Sequence, residues 1–146
     1  MDSLPLYTVH RKEHKMNGNY QEKERKRKDF LKKEKGRLGE ELAALMLEEQ
    51  AYEILFRNYR CRFGEIDIIA RKKGILVFIE VKTRCGNGFG EPAEAVTRSK
   101  QQKIRQTALY FMNEYKEPFL GVEFQVTEVL IRHHDGLGFQ EAGHAF

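Results

Sequence analysis

The chain has 146 residues, of which 40% are apolar and 33% are charged, a balance typical of one globular domain with a sheet and a few helices. No window approaches the ~18 consecutive apolar residues that a membrane span requires, so we expect no membrane contact. The segment from Met1 to Gln21 lacks the apolar core of a secretory signal, which predicts a cytoplasmic location.

The positive charge of the chain is concentrated at its N-terminus. Residues 1–35 carry a net charge of +5 and residues 36–146 carry −1, within a total of +4. We predict that residues 1–35 form a basic, flexible tail and that residues 36–146 form the folded domain. The tail could attract phosphates by counterion release, whereas the near-neutral domain argues against tight general binding to DNA.

The apolar pattern predicts the order helix, three strands, helix, strand. Leucines at helical spacing predict a first helix within Asp29–Gln50. Runs rich in Ile, Val and Phe predict the strands, and a glycine-rich loop precedes the second helix. The remaining predicted elements are the strands Tyr52–Arg60, Arg62–Ala70 and Ile75–Thr83, the helix Ala93–Tyr115, the strand Phe119–Arg132 and an edge strand within Gly136–Phe146.

Charged residues interrupt the second and third predicted strands, which are otherwise apolar. Because side chains alternate faces along a strand, Asp67 is predicted to share a face with Ile69, opposite Ile66. By the same rule, Glu80 and Lys82 share a face of the next strand. Burying a lone charge costs several kcal/mol. These residues therefore either pair with one another at the end of the sheet or serve a chemical site.

The turn between these strands decides whether the carboxylates meet. If Lys72 and Lys73 form a two-residue turn, Asp67 lies opposite Phe78 and diagonal to Glu80, with about 7–8 Å between Cα atoms. Two carboxylates at that separation can share one hard cation, whereas a register slip of one residue would place them on opposite faces. Magnesium ions prefer such oxygen ligands, and a lysine beside the ion could orient a nucleophile.

Four blocks of sequence occur in a fixed order: Gly36–Ala43, Asn58–Arg62, Gly64–Ala70 and Phe78–Arg84. Further matching residues continue to the terminal His144-Ala145-Phe146. Together these blocks resemble the YraN-type uncharacterised bacterial protein family over about residues 36–146. That family is similar to PD-(D/E)XK nucleases, including archaeal Holliday-junction resolvases.

The resemblance implies an α/β fold with a restriction-endonuclease-like αβββαβ core, in which a mixed sheet is flanked by helices. It maps the metal carboxylates onto Asp67 and Glu80 and the catalytic lysine onto Lys82. It also implies that the backbone carbonyl of Val81 and an acid from the first helix, Glu40, help to bind Mg²⁺ or Mn²⁺. Spacing alone would place Glu40 at the rim of the helix, among small apolar residues.

Several basic residues near the predicted site could contact the phosphates of DNA. Taken together, these basic residues make contact with DNA phosphates plausible. For each residue taken singly, a solvated position on the surface is the better interpretation. Arg60 and Arg62 are predicted to share a strand face. The whole group comprises Arg60, Arg62, Arg84, Arg98, Lys100 and Lys103.

Three functions are compatible with the sequence. The first is a metal-dependent DNA endonuclease acting on branched or damaged substrates, and the second is a nucleic-acid-binding module with the nuclease fold but little or no turnover. The third is an interaction protein in which Asp67, Glu80 and Lys82 merely pair. The intact set of these three residues favours the first function. Related resolvases act as dimers, so the resemblance also admits a homodimer with two sites.

Overall fold

The computed structural model describes residues 18–85, 96–131 and 137–144. It contains the predicted order of helices and strands, and a final edge strand is present as expected. The elements in chain order are α1 Gly18–Glu49, β1 Glu53–Cys61, β2 Gly64–Lys72, β3 Ile75–Cys85, α2 Arg98–Glu114, β4 Gly121–Ile131 and β5 Leu137–His144.

The strands form one five-stranded mixed sheet in the order β1-β2-β3-β4-β5. β1, β2 and β3 pair antiparallel as consecutive hairpins, β4 pairs parallel to β3, and β5 pairs antiparallel to β4. A parallel pair requires a long crossover connection, and here that connection contains α2. The α/β class and the αβββαβ core implied by the resemblance are therefore confirmed.

The two faces of the sheet are covered by different helices, which explains why β2 and β3 are almost continuously apolar. Val77 and Ile79 point to one face, and Leu76 and Phe78 point to the other. The α1 cluster consists of Ala43, Ala44, Leu47, Ile68, Ala70, Val77, Ile79 and Val129. The α2 cluster consists of Ile66, Ile69, Leu76, Phe78, Val96, Ile104, Ala108, Phe111 and Val126.

The first helix begins earlier than the sequence pattern predicted. α1 starts at Gly18, ahead of Asp29, so residues 18–35 of the predicted flexible tail are helical. The reason is composition, because Lys, Arg, Glu and Gln are good helix formers even without an apolar stripe. The chain divides into two compact units, residues 1–32 and 33–146. Residues 1–17 lie outside the described part, and their role as a tail stays a prediction.

The second helix begins later than predicted, at Arg98 rather than Ala93, and residues 93–95 lie outside the described ranges. Thr97 caps this helix, because its side-chain oxygen accepts a hydrogen bond from the backbone N–H of Lys100 at 3.3 Å. The cap fixes the first turn of α2. Neither helix that the structure describes is long and apolar enough to cross a membrane.

Gly39 lies where α1 comes closest to β3. A Cβ atom at this glycine would lie 1.9 Å from Oγ1 of Thr83 and 2.9 Å from its Cβ. No side chain fits there unless the helix or the strand moves. The glycine therefore sets the distance between α1 and the sheet, and its neighbour Glu40 is carried toward β3 by the same contact.

Gly39→Ala is expected to destabilise the protein by about 1–3 kcal/mol, the usual cost of forcing extra atoms into a packed interior. This corresponds to a Tm lower by roughly 3–9 °C, measured by thermal denaturation. Gly36→Ala is the matched control, since nothing lies within 4 Å of a Cβ at that position of the same helix. Equal melting temperatures for the two variants would contradict the close approach of α1 to β3.

Candidate active site

The β2–β3 hairpin has a different register from the predicted one. Its central turn residues are Lys73 and Gly74, with φ angles of +50° and +79°, as in a type I′ turn, where both central residues have positive φ. Glycine adopts this conformation without strain, which explains its place in the turn. Lys72 therefore pairs with Ile75, and the register is displaced by two residues from that of a Lys72-Lys73 turn.

This displacement brings Asp67 and Glu80 to the same end of the paired region. The ladder of paired residues ends at Ile68 and Ile79, so each acid is the next residue beyond it on its own strand. The predicted position of Asp67 opposite Phe78 is wrong, because Phe78 pairs with Ile69. A displacement of two residues does not by itself change which face a side chain occupies, and the charge of Glu80 does act on Asp67.

The β2–β3 hydrogen-bond ladder ends at Asp67, where the side chain of Asp67, and not a backbone carbonyl of β2, accepts the next backbone N–H of β3. The Oδ2 of Asp67 accepts a hydrogen bond from the backbone N–H of Val81 at 2.7 Å. Strict alternation of faces also fails here, because Ile66 packs in the α2 cluster together with Ile69, whereas Ile68 packs in the α1 cluster. The predicted placement of Ile66 opposite Ile69 is therefore wrong. The pleat is irregular where a side chain substitutes for backbone pairing.

Glu80 is a buried carboxylate beside two lysines. Its side chain is 7% exposed, and its Oε1 accepts a hydrogen bond from Nζ of Lys100, in the first turn of α2. Nζ of Lys82, two residues along β3, lies 3.9 Å from the same oxygen. An uncompensated buried carboxylate would be strongly destabilising. The two ammonium groups supply the compensating charge.

The pKa of Asp67 is raised from 3.8 to about 7. Burial is the largest cause, the negative charge of Glu80 is the second, and the charge of Glu40 adds to both. The hydrogen bond from Val81 and the charge of Lys100 act in the opposite direction. Asp67 is therefore poised between its neutral and ionised forms near pH 7, and a nearby cation would favour the ionised form.

The pKa of Lys100 is also raised, although burial alone would lower it. The hydrogen bond to Glu80 and the negative charges of Glu80, Asp67 and Glu65 outweigh the burial. Lys100 is therefore an ammonium group at neutral pH. Its charge acts on both carboxylates of the hairpin.

The oxygen atoms at this end of the hairpin have the chemistry that hard divalent cations prefer. The carboxylates of Asp67 and Glu80 and the backbone carbonyl of Val81 are donors suited to Mg²⁺ or Mn²⁺, with water completing the shell. Within the part of the chain that the structure describes, no group of three or more His, Cys, Asp or Glu side chains is placed to hold a metal ion. Direct ligation by Glu40 therefore stays a prediction.

Arg60 and Arg62 do not share a strand face, contrary to the prediction. β1 ends at Cys61, so Arg62 lies in the turn, where its guanidinium is 4.7 Å from the centroid of the Phe63 ring. Arg60 remains on β1 and forms an ion pair with Glu65 at 3.1 Å. Their contact with phosphate stays a prediction.

The first turns of α2 border a cavity of about 400 Å³ next to Lys100. Its polar lining consists of Glu65, Thr97, Ser99, Lys100 and Lys103. The backbone N–H groups and the dipole of a helix N-terminus favour anions. Arg98 is exposed at the first residue of the helix, whereas Arg84 forms an ion pair with Glu128 on β4. Lys100, Lys103 and the helix N-terminus would attract an anion to this cavity, whereas Glu65 would repel one.

Sequence comparison identifies the family. The model of the uncharacterised protein family UPF0102 matches residues 39–133, a stretch that contains Asp67, Glu80, Lys82 and Lys100. The chain belongs to this family. The predicted membership in the YraN-type family is thereby confirmed, and the UPF0102 match covers every candidate site residue from Glu40 onward.

Individual UPF0102 proteins are similar over about two thirds of this chain. The relative from Nocardia farcinica (strain IFM 10152) is 51% identical over 96 residues, which are 66% of this chain and 76% of the relative. The relative from Rhodococcus opacus (strain B4) is 49% identical over 98 residues, 67% of this chain and 83% of its own. A third, from Caldicellulosiruptor saccharolyticus, is 46% identical over 98 residues, with the same shares.

The contact of Lys100 with Glu80 is the feature that sequence reasoning missed. The sequence predicted Lys100 only as one of several phosphate contacts. Thr97 was a usable signal for the start of α2, because a Thr at the N-cap fixes the first helical turn. The cap does not predict how the first turn of α2 is oriented relative to the sheet. The contact between Lys100 and Glu80 is therefore visible only in the folded structure.

Proposed function

We propose that this UPF0102 protein is a metal-dependent nuclease that hydrolyses phosphodiester bonds in DNA, with branched or damaged DNA as its substrate. The observation that carries the proposal is the pair of carboxylates, Asp67 and Glu80, on adjacent strands of one hairpin, where the charge of Glu80 acts on Asp67. Glu80 is buried, Asp67 is half-buried and its pKa is raised to about 7, and the ammonium groups of Lys82 and Lys100 stand beside Glu80. A carboxylate with a perturbed pKa, such as that of Asp67, belongs to the class of groups that cluster at functional sites.

Each residue of the site has a separate role in this proposal. Asp67, Glu80 and the carbonyl of Val81 would hold Mg²⁺ or Mn²⁺, with Glu40 acting through water. The ion would neutralise the phosphodiester and lower the pKa of a coordinated water. Lys82 Nζ, 3.9 Å from Glu80, would orient the attacking water and balance the negative charge that develops on the phosphate. The basic cavity beside α2 would position the DNA backbone.

The proposal is tested by a cleavage panel of linear, nicked, flap and four-way DNAs with Mg²⁺ or Mn²⁺. Wild-type protein should cut at least one of the branched substrates, and Lys82→Ala, purified identically, should not. Light scattering of the same samples gives the oligomeric state, because cutting both strands of a symmetric junction requires two sites. Wild-type protein that cuts none of these DNAs would contradict the nuclease proposal.

A nucleic-acid-binding module with little or no turnover is the second candidate. The observation that favours it is the pairing of Lys100 with Glu80, which leaves the carboxylate compensated without any metal ion. In that case the cavity beside α2 would bind DNA phosphates while the carboxylates only stabilise the fold. Tight binding of branched DNA without cleavage in either metal would favour this candidate over the first.

Divalent ions should stabilise the protein if the two carboxylates bind them. Without a divalent ion, the charges of Asp67 and Glu80 repel each other. A free ion concentration of one hundred times the Kd would add about 2.7 kcal/mol to the free energy of unfolding. Thermal denaturation with and without Mg²⁺ or Mn²⁺ measures this gain, and Asp67→Asn should abolish most of it. A wild-type Tm indifferent to millimolar metal would favour a simple ion-paired cluster.

A further inference from the structure

Lys82 and Lys100 approach the same oxygen of Glu80, but only one of them binds it. Lys100 Nζ donates a hydrogen bond to Oε1, whereas Lys82 Nζ is 3.9 Å away, beyond hydrogen-bond distance. The side chain of Glu80 is 7% exposed and that of Lys100 is 44% exposed. The ammonium group of Lys100 therefore reaches a buried carboxylate from the solvent side.

The backbone of Lys100 is fixed by the helix cap, whereas the end of its side chain is held by the hydrogen bond from Nζ to Glu80. Its N–H donates to Oγ1 of Thr97 at 3.3 Å, and Nε2 of Gln101 donates to the carbonyl of Val96 at 2.8 Å. One turn later, Ile104 is buried in the α2 cluster. A lysine carries its ammonium on a flexible four-carbon chain. The group can therefore leave Glu80 by rotation of the side chain, without movement of the helix.

The same oxygen cannot serve a divalent ion and the ammonium group together. A Mg²⁺ ion binds a carboxylate oxygen at about 2.0–2.1 Å, and an ammonium group bonded to that oxygen would be a second positive charge within a few ångströms. Repulsion between the two cations opposes joint occupancy, most strongly at a buried carboxylate. Lys100 and a divalent ion should therefore compete for Glu80.

We propose that Lys100 is a built-in counterion, which occupies the cation position at Glu80 until a divalent ion displaces it. The inference rests on the proposed function to the extent that Asp67 and Glu80 bind the ion. Once displaced, the ammonium group lies at the cavity that Lys103 also lines, where it can bind a phosphate. Binding of the ion thus releases a phosphate contact, which couples metal binding to substrate binding.

The test measures the Kd of Mn²⁺ alone by calorimetry on the full chain. Lys100→Met should bind Mn²⁺ at least ten times more tightly than wild type, because the competing cation is gone. Lys100→Arg retains a positive charge and should bind no more tightly than wild type. Lys116→Met is the matched control, since it removes an exposed lysine beyond the end of α2, and it should bind like wild type.

The melting temperature supplies a second readout that does not depend on catalysis. Without metal, Lys100→Met should melt below wild type, because Glu80 loses its hydrogen-bonded counterion. Saturating Mn²⁺ should remove most of that difference. If Lys100→Met proves too unstable to titrate, the comparison of Lys100→Arg with wild type and the recovery of Lys100→Met by Mn²⁺ still decide the question.

Several outcomes would overturn the inference, and they differ from failure of the proposed function. An unchanged or weaker Mn²⁺ affinity in Lys100→Met, with DNA cleavage intact in wild type, would overturn the counterion role alone. Tighter binding of Mn²⁺ by Lys100→Met, together with no DNA cleavage by wild type, would support the counterion role and contradict the proposed nuclease function. If neither protein binds Mn²⁺, both proposals fail.

Discussion

Lys82→Ala is expected to reduce the rate of DNA cleavage by about 10²–10⁴-fold, the usual contribution of a group that assists proton transfer. DNA binding should remain close to wild type, because most of the residues that would hold the phosphates lie at the end of β1, in the β1–β2 turn and at the start of α2. The loss should appear in single-turnover cleavage at saturating protein. Fluorescence anisotropy with the same DNA, measured in Ca²⁺ to prevent cutting, reports the binding.

Three further variants separate the role of Lys82 from that of the carboxylates. Asp67→Ala and Glu80→Ala should lose cleavage and the metal-dependent gain in Tm together. Glu40→Ala should fall between these variants and wild type, since its effect on the site passes through water. Cleavage that survives Lys82→Ala unchanged would mean that the activity comes from another site or from a contaminant.

Asp67→Asn is expected to make the metal-free protein more stable at pH 8, by an amount that disappears in acid. The folded-state pKa of Asp67 is about 7, above its ordinary value of 3.8. Its contribution to stability is therefore greatest below pH 4 and is lost as the pH rises to about 7, where the buried group ionises. Asparagine stays neutral throughout and retains an oxygen to accept the N–H of Val81.

The size of this effect follows from the difference in proton affinity. Each tenfold change corresponds to about 1.4 kcal/mol, so a pKa raised from 3.8 to about 7 sets an upper bound of roughly 4.5 kcal/mol. Because Asp67 is partly exposed and solvent screens its charge, the gap between the two proteins above pH 7 should be on the order of 2–4 kcal/mol. Tm measured from pH 4 to pH 8 in EDTA should show a gap of roughly 6–12 °C at the alkaline end. Asp29→Asn, on the exposed surface of α1, is the control. A gap that is constant with pH would contradict the origin of the effect in ionisation.

The faces of most strand residues could be predicted from the sequence, but the face of Ile66 and the register of the β2–β3 hairpin could not. The alternation of side chains along a strand was enough to predict that Asp67 and Glu80 lie on one side of the sheet. The position of Gly74 could have given the right register, because glycine in a type I′ turn is one of the two central turn residues and not the residue after the turn. The error was harmless to the site, since the register moved by two residues and side chains have a period of two.

Other features depend on packing between distant elements, for which the sequence carries no local signal. Glu40 stands among small apolar residues and spacing alone would place it at a rim. Its charge acts on Asp67 because Gly39 allows α1 to approach Thr83 closely. Only the family resemblance pointed to Glu40. Likewise the irregular face of Ile66 follows from the Asp67–Val81 hydrogen bond, which no periodic pattern encodes.

The type I′ hairpin also determines when, during folding, the acidic pair comes together. Asp67 and Val81 are 14 residues apart and joined by a tight turn, and hairpins close within about 1–10 μs. The parallel β3–β4 pair and α2, which brings Lys100 to Glu80, require slower closure of longer chain segments. We therefore expect the two carboxylates to approach each other before Lys100 arrives, with only Lys82 of the same hairpin beside Glu80. The repulsion between the two carboxylates is then already present in the transition state for folding. Asp67→Asn should therefore increase the folding rate more than it decreases the unfolding rate.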